Sequence, residues 1–296
     1  MFEKIENSWK LAKECWRVLM LDKEMLMFPA LSTLTTIVVF ALIAYPFWFS
    51  GYFQQPEVVH IDPSQMFALS TLLKYAIITI VPTYIIYIIL TFFNSGLVTC
   101  AFIRLCGDDP VLADGFYIAW KRLPQIFTWS ILAATVGLIL RMIKGRNSVT
   151  RSILSGVAGL GWRVASFFVI PVIVAEEKGA IDALKRSGQL IKKNWGEALT
   201  LEVGLSILGI PAAIPAIVLF LVSFETSQAA PMLSIMIVSI AVIYVFLVSL
   251  VFSTLDAIAK AALYMFASGE QIPENFNTEI LETMFKRSGD PNPSFA

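Results

Sequence analysis

The chain has 296 residues, of which 57% are hydrophobic and 15% charged, with a mean hydropathy of +0.74. That is too apolar for a soluble domain and too poor in charge for a disordered one, so the chain belongs in a bilayer. Net charge is zero, which excludes a global field directed at nucleic acid and leaves the placement of the cations along the chain as the informative quantity.

Residues 1–24 read as an amphipathic interfacial helix and not as a signal peptide, because no short apolar core with a cleavage site follows the first residues. Ile5, Trp9, Ala12, Trp16 and Leu19 fall on one stripe, with Lys4, Lys10, Lys13 and Arg17 around it. The stripe serves equally for the membrane surface or for the protein's own inner face. A first span is predicted from about Met25 to Phe49, with Pro29 in its opening turn and the aromatic run AYPFWF at its far interface. The next loop, Ser50 to Gln65, has no Lys or Arg but contains Glu57 and Asp62, as an external loop should. Both termini are therefore expected to be cytoplasmic.

A second span is predicted from near Tyr75 to Arg104, bent at Pro82. It carries Asn94 ten residues before Arg104, roughly 15 Å below the inner interface. Asp108, Asp109 and Pro110 then turn into a short interfacial helix closed by Trp120, Lys121 and Arg122. Residues 124–143 form the third apolar run, and the fourth lies between Arg151 and Glu176 with Arg163 inside it. The connection between them holds Arg141, Lys144, Arg146 and Arg151, against the positive-inside rule. Either runs three and four cross the membrane, giving six spans, or they dip in as a re-entrant hairpin; six is the reading adopted.

From Gly161 to Trp195 the sequence reads as a span end, an acidic stop at Glu176 and Glu177, and a basic surface helix. On that helix Ile181, Leu184, Leu190 and Ile191 supply the apolar stripe. Lys185, Arg186, Lys192, Lys193 and Trp195 are the candidate lipid-headgroup contacts. A fifth span from Glu197 to Phe224 contains Glu202, the small-residue series Gly204, Ser206 and Gly209, and Pro211 and Pro215. The sixth runs from Pro231 to about Thr254 and continues through the i, i+4 pair Asp256 and Lys260. The membrane domain is thus bounded at 25–267, and residues 268–296 form a polar cytoplasmic tail.

Three stretches, SWKLAKECWRVLMLDKEMLMFPALS, FFNSGLVTCAFIRLCGDDPVLADGFYIAWKRLPQIFTWSILAATVG and GWRVASFFVIPVIVAEEKGAIDALKRSGQLIKKNWGE, together with the ending AALYMFASGEQIP, resemble a bacterial family of six-span membrane proteins of unknown function. An acidic residue followed after a gap by ALKRS is similar, more weakly, to the membrane domain of some glycerophosphodiester phosphodiesterases, and that domain's catalytic partner is missing. The resemblance implies a topology and a bacterial inner-membrane setting, and it supplies no site residues.

No Walker loop, no GxGxxG opening a helix, no HExxH and no GxSxG occurs. His60 is the only histidine, and Cys15, Cys100 and Cys106 form no CxxC, so neither a zinc site nor any other cofactor is expected. Gly156, Gly159 and Gly161 read as small-residue packing positions. Glu176 and Glu177 are adjacent and do not face each other as a two-carboxylate site would. A non-enzymatic protein follows, with membrane lipids including anionic headgroups, copies of itself or other membrane proteins as partners. The candidate intramembrane polar site is Arg163, Glu202 and Asn94, because ionisable groups in hydrocarbon mark pathways or partners. Arg163 is expected to pair with Glu202 or to hydrogen-bond Asn94. Buried in pairs, these groups fit a scaffold or assembly partner in lipid or envelope homeostasis; lining a groove, they fit a transporter, channel or lipid-moving protein.

Overall fold

The computed structural model describes residues 2–49, 69–144, 149–193 and 195–269, and these are helical throughout with short turns. In chain order the helices are α1 Phe2–Leu21, α2 Met27–Phe49, α3 Leu69–Leu105, α4 Leu112–Lys121, α5 Leu123–Lys144, α6 Val149–Ala165, α7 Val169–Glu176, α8 Ala180–Lys193, α9 Trp195–Thr226 and α10 Pro231–Ser268. A 3-10 turn, Lys23–Leu26, joins α1 to α2. Among the described residues five segments are long and apolar enough to cross a membrane: Lys23–Tyr45, Ile80–Leu105, Leu123–Met142, Ala158–Glu176 and Pro231–Ser268. Pro211–Thr226, within α9, is a shorter apolar helix. The protein is thus an all-α polytopic membrane protein. Glu57, His60, Asn147 and the tail beyond Gly269 lie outside the described residues.

The fourth apolar run is not one helix. It breaks between Ala165 and Val169, where the Ser166 and Phe167 amides still find carbonyls at Trp162 and Val164. The freed Phe168 N–H donates to Ser187 Oγ at 3.0 Å, a fully buried hydroxyl from α8. An amide left bare inside the protein carries the full desolvation cost, so Ser187 is what permits the break.

The core sits at one end of the molecule. Leu11, Cys15 and Leu19 of α1, Leu97 to Leu105 of α3, Val169 to Val174 of α7, Leu190 and Ile191 of α8, and Leu255 to Met265 of α10 pack together there. Tyr264, with 0% exposure, is the largest of its fully buried side chains and lies against Phe102 and Phe168. Beyond this base the helices turn apolar faces outward: Ile37, Phe40 and Leu42 on α2, Ile217 and Leu221 on α9, Ile235 and Ile240 on α10. Such faces suit lipid, which is as apolar as they are. At the far end Ser223 and Ser234 hydrogen-bond across the α9–α10 turn, the hydroxyls 3.0 Å apart.

Two amphipathic helices expected at the membrane surface are packed on the base. Helix α1 buries Leu11, Ala12, Cys15, Val18 and Leu19, so its buried stripe is rotated from the one traced in the sequence, and Trp9 and Trp16 point outward at 60% and 44% exposure. Helix α8 buries Ala183, Ser187, Leu190 and Ile191 and leaves Ile181 exposed.

Close helix packing also falls elsewhere than expected. A methyl group added at Gly156, Gly159 or Gly161 would meet nothing within 4 Å among the described residues, whereas one on Gly115 would lie 2.5 Å from Phe28 and 2.7 Å from the Gly96 carbonyl oxygen. The small residues that matter are Gly96 on α3 and Gly115 on α4.

Candidate functional site: cavities around helix α10

Among the described residues, cavities border α10 above the packed base, and three of them share its polar residues. The first of these three, about 850 Å³, lies between α6, α9 and α10. Its wall is charged at one end, with Arg163, Asp256 and Lys260, and apolar along the rest, with Ala213, Ile217, Phe220, Val245, Val248 and Phe252. From Lys260 to Tyr244 the α10 wall covers 16 residues, roughly 24 Å at 1.5 Å per residue. Tyr244 donates from its hydroxyl to the Ala212 carbonyl at 2.9 Å, tying α10 to α9 next to Pro211.

The second cavity, about 310 Å³, is bounded by α3, α5, the α6–α7 break and α10. Asn94, Thr91, Arg163, Ser166 and Lys260 contribute polar groups to it. One wall is the stacked pair Trp129 and Trp162, ring centroids 5.7 Å apart. The third, also about 310 Å³, lies between α2, α3 and α10 and is lined by Ser32, Thr33, Asn94, Ser249 and Ser253. Asn94 therefore borders two cavities, and Arg163 and Lys260 border two.

Lys260 Nζ donates to Asp256 Oδ2 at 2.6 Å and sits 5.3 Å from the Phe167 ring centroid. The i, i+4 pair read from the sequence is thus present, and it faces a cavity. Arg163 and Asn94 both line the second cavity. Glu202 lies on α9, but its side chain is outside the described residues, as are those of Lys193 and Trp195.

Of the other headgroup candidates, Lys192 is exposed, and Lys185 is exposed with Asp182 Oδ1 at 3.3 Å. Arg186 instead points inward, its Nε donating to Glu176 Oε1 at 2.8 Å. That contact holds the Arg186 pKa above its ordinary value. Glu176 also accepts from the Tyr264 hydroxyl at 2.9 Å and from Lys178 at 2.5 Å.

Sequence reasoning missed the ion pairs that hold the base. Glu177, in left-handed backbone at φ 57°, accepts from Arg122, whose side chain is buried. Arg104 forks onto both carboxylate oxygens of Asp22, with Nη2 to Oδ1 at 2.6 Å, and reaches Asp109 at 2.7 Å. The available signal was depth. Asp22, Arg104, Arg122 and Glu177 all stand at helix ends predicted for the same interface, where opposite charges meet.

No curated protein and no solved structure matches the chain. A family match covers residues 73–272, from the second span to the end of α10, and the chain therefore belongs to the DUF6159 family, a family of unknown function.

Proposed function

We propose that this is a non-enzymatic, multi-pass protein of the bacterial inner membrane, with both termini cytoplasmic, that binds an anionic membrane lipid as part of moving it. The lipid chain lies in the α9–α10 groove and the headgroup rests on Lys260 and Arg163. One observation carries this reading: a mostly apolar cavity of about 850 Å³ ends in Arg163, Lys260 and the Asp256 carboxylate bonded to Lys260, a net positive end, and shares both cations with a smaller polar cavity. A chain with an anionic head has that division of polarity. A scaffold would keep its intramembrane polar groups in a dry core; here Arg163 and Asn94 line cavities, which favours the transport reading.

The outer faces of the base supply anionic-lipid contacts of a second kind. Trp9 and Trp16 with Lys13 and Arg17 on α1, Tyr117 and Trp120 on α4, and Lys185 and Lys192 on α8 are exposed. This mixture of aromatic rings and cations suits a headgroup layer.

Native mass spectrometry of protein released from mixed phosphatidylglycerol and phosphatidylcholine nanodiscs tests the groove. The wild type should retain phosphatidylglycerol preferentially. Ala213→Trp, at an outward position on the groove wall, should abolish retention, and Lys260→Gln should weaken it by the value of one charge-assisted hydrogen bond, about 1.5 to 3 kcal/mol. Equal retention of both lipids by the wild type and by Ala213→Trp would refute the reading.

A further inference from the structure

We infer that a polar track on α10 carries the lipid headgroup from the base toward the middle of the membrane, so that the protein exchanges lipid between leaflets. This rests on the lipid-binding reading above and adds a path to it. Ser249, Ser253, Asp256 and Lys260 follow at spacings of four, three and four residues. They stand on one face of the helix over roughly 16 Å, about half of a ~30 Å hydrocarbon core.

The cavities follow that face. Ser249, Asp256 and Lys260 line the first, Lys260 the second, and Ser249 and Ser253 the third. Asn94 stands opposite the stripe, on the wall shared by the second and third cavities. Among the described residues nothing hydrogen-bonds its amide, although the Ser95 and Thr99 hydroxyls close by donate to the Thr91 and Ser95 carbonyls within α3. An amide at that depth needs a polar partner, and in a cavity bordered by hydroxyls a headgroup or its accompanying water supplies one. A small ion would need only the polar lining. Here Val245, Val248 and Phe252 run beside the stripe in the same groove, so the molecule that fits carries an apolar chain alongside its head.

The test reconstitutes the full chain into vesicles of phosphatidylglycerol and phosphatidylcholine containing a trace of headgroup-labelled fluorescent phosphatidylglycerol, then bleaches the outer leaflet with dithionite. Wild-type vesicles should bleach past the outer-leaflet fraction. Asn94→Leu and, separately, Ser253→Leu should slow that second phase about tenfold, the scale of one polar contact in a membrane, while retaining bound lipid. Asn94→Ser should restore much of the rate, which separates a polar role from a packing one. A wild type that stops at the outer-leaflet fraction yet retains lipid would overturn the track alone, as would variants that exchange at the wild-type rate. Failure of the wild type to retain lipid would overturn the groove reading itself.

Discussion

Glu177 holds a backbone conformation that costs most residues energy and that glycine adopts freely, although Gly179 stands two positions on. The compensating contact is the Arg122 guanidinium, buried at 6% exposure, with Nη2 on Glu177 and Nε without a hydrogen-bond partner among the described residues. That contact holds the Glu177 carboxyl below the usual carboxylate range. As pH falls, the unfolded chain binds this proton first. The stabilisation is therefore complete above the unfolded value of about 4.3 and is lost as pH drops through the lower folded value. Thermal unfolding in detergent between neutral and strongly acidic pH should show this loss, and Glu177→Gln should be less stable at neutral pH with a shallower acid limb. An unchanged acid limb would mean that the pair contributes nothing. Residues of this kind were only half legible. The sequence marked Glu176 and Glu177 as a stop, but their partners Arg186 and Arg122 lie ten and 55 positions away, and only folding brings them in.

Helix ends were legible because hydrophobic length and turn residues act locally. The spans read from the sequence correspond to α2, α3, α5, α9 and α10, since an apolar run in lipid must close its backbone hydrogen bonds within itself. The break between α6 and α7 was not legible, because the Ser187 hydroxyl that supports it comes from another helix. Small-residue packing was misplaced for a similar reason. A glycine in the sequence shows that close approach is allowed, and only the neighbour shows that it happens. Gly115→Ala should destabilise the protein by about 1 to 3 kcal/mol, because its methyl meets the fixed Gly96 carbonyl oxygen at 2.7 Å. Gly96→Ala should cost less, its nearest backbone atom being 3.2 Å away. Gly159→Ala, with nothing within 4 Å among the described residues, should be neutral or slightly stabilising through helix propensity. Equal unfolding temperatures for all three variants would contradict this packing.

For the molecule as a whole, the proposed orientation places the base at the cytoplasmic face of the membrane. Single cysteines at Glu57 and Thr226, in a background lacking Cys15, Cys100 and Cys106, should react with an impermeant thiol reagent in intact cells. One at Lys185 should react only after permeabilisation. Labelling at Asn147 distinguishes six crossings from a re-entrant hairpin. Cys106 must be removed first because it is exposed, whereas Cys15 is buried, with its thiol pKa pushed up by desolvation. Protection at both Glu57 and Thr226 would reverse the topology. The all-α membrane class was legible from composition, and Arg163 and Asn94, singled out in the sequence as polar groups within apolar runs, both line the second cavity. Lys260 was read as a local ion pair, because nothing in a linear sequence marks a helix face bordered by cavities.

The one-ended core also divides the molecule by how its amides are shielded from water. Amides of α7 and of Leu255 to Met265 on α10 lie among side chains from several helices and should exchange hydrogen only when the base opens as a unit. Those from Pro231 to Leu247 carry side chains that mostly face outward, and their shield is the lipid itself. Transferring the protein from bilayer to detergent should accelerate exchange in the second group and leave the first nearly unchanged. Bilayer thickness and composition can then act on the cavity walls while the base keeps its structure.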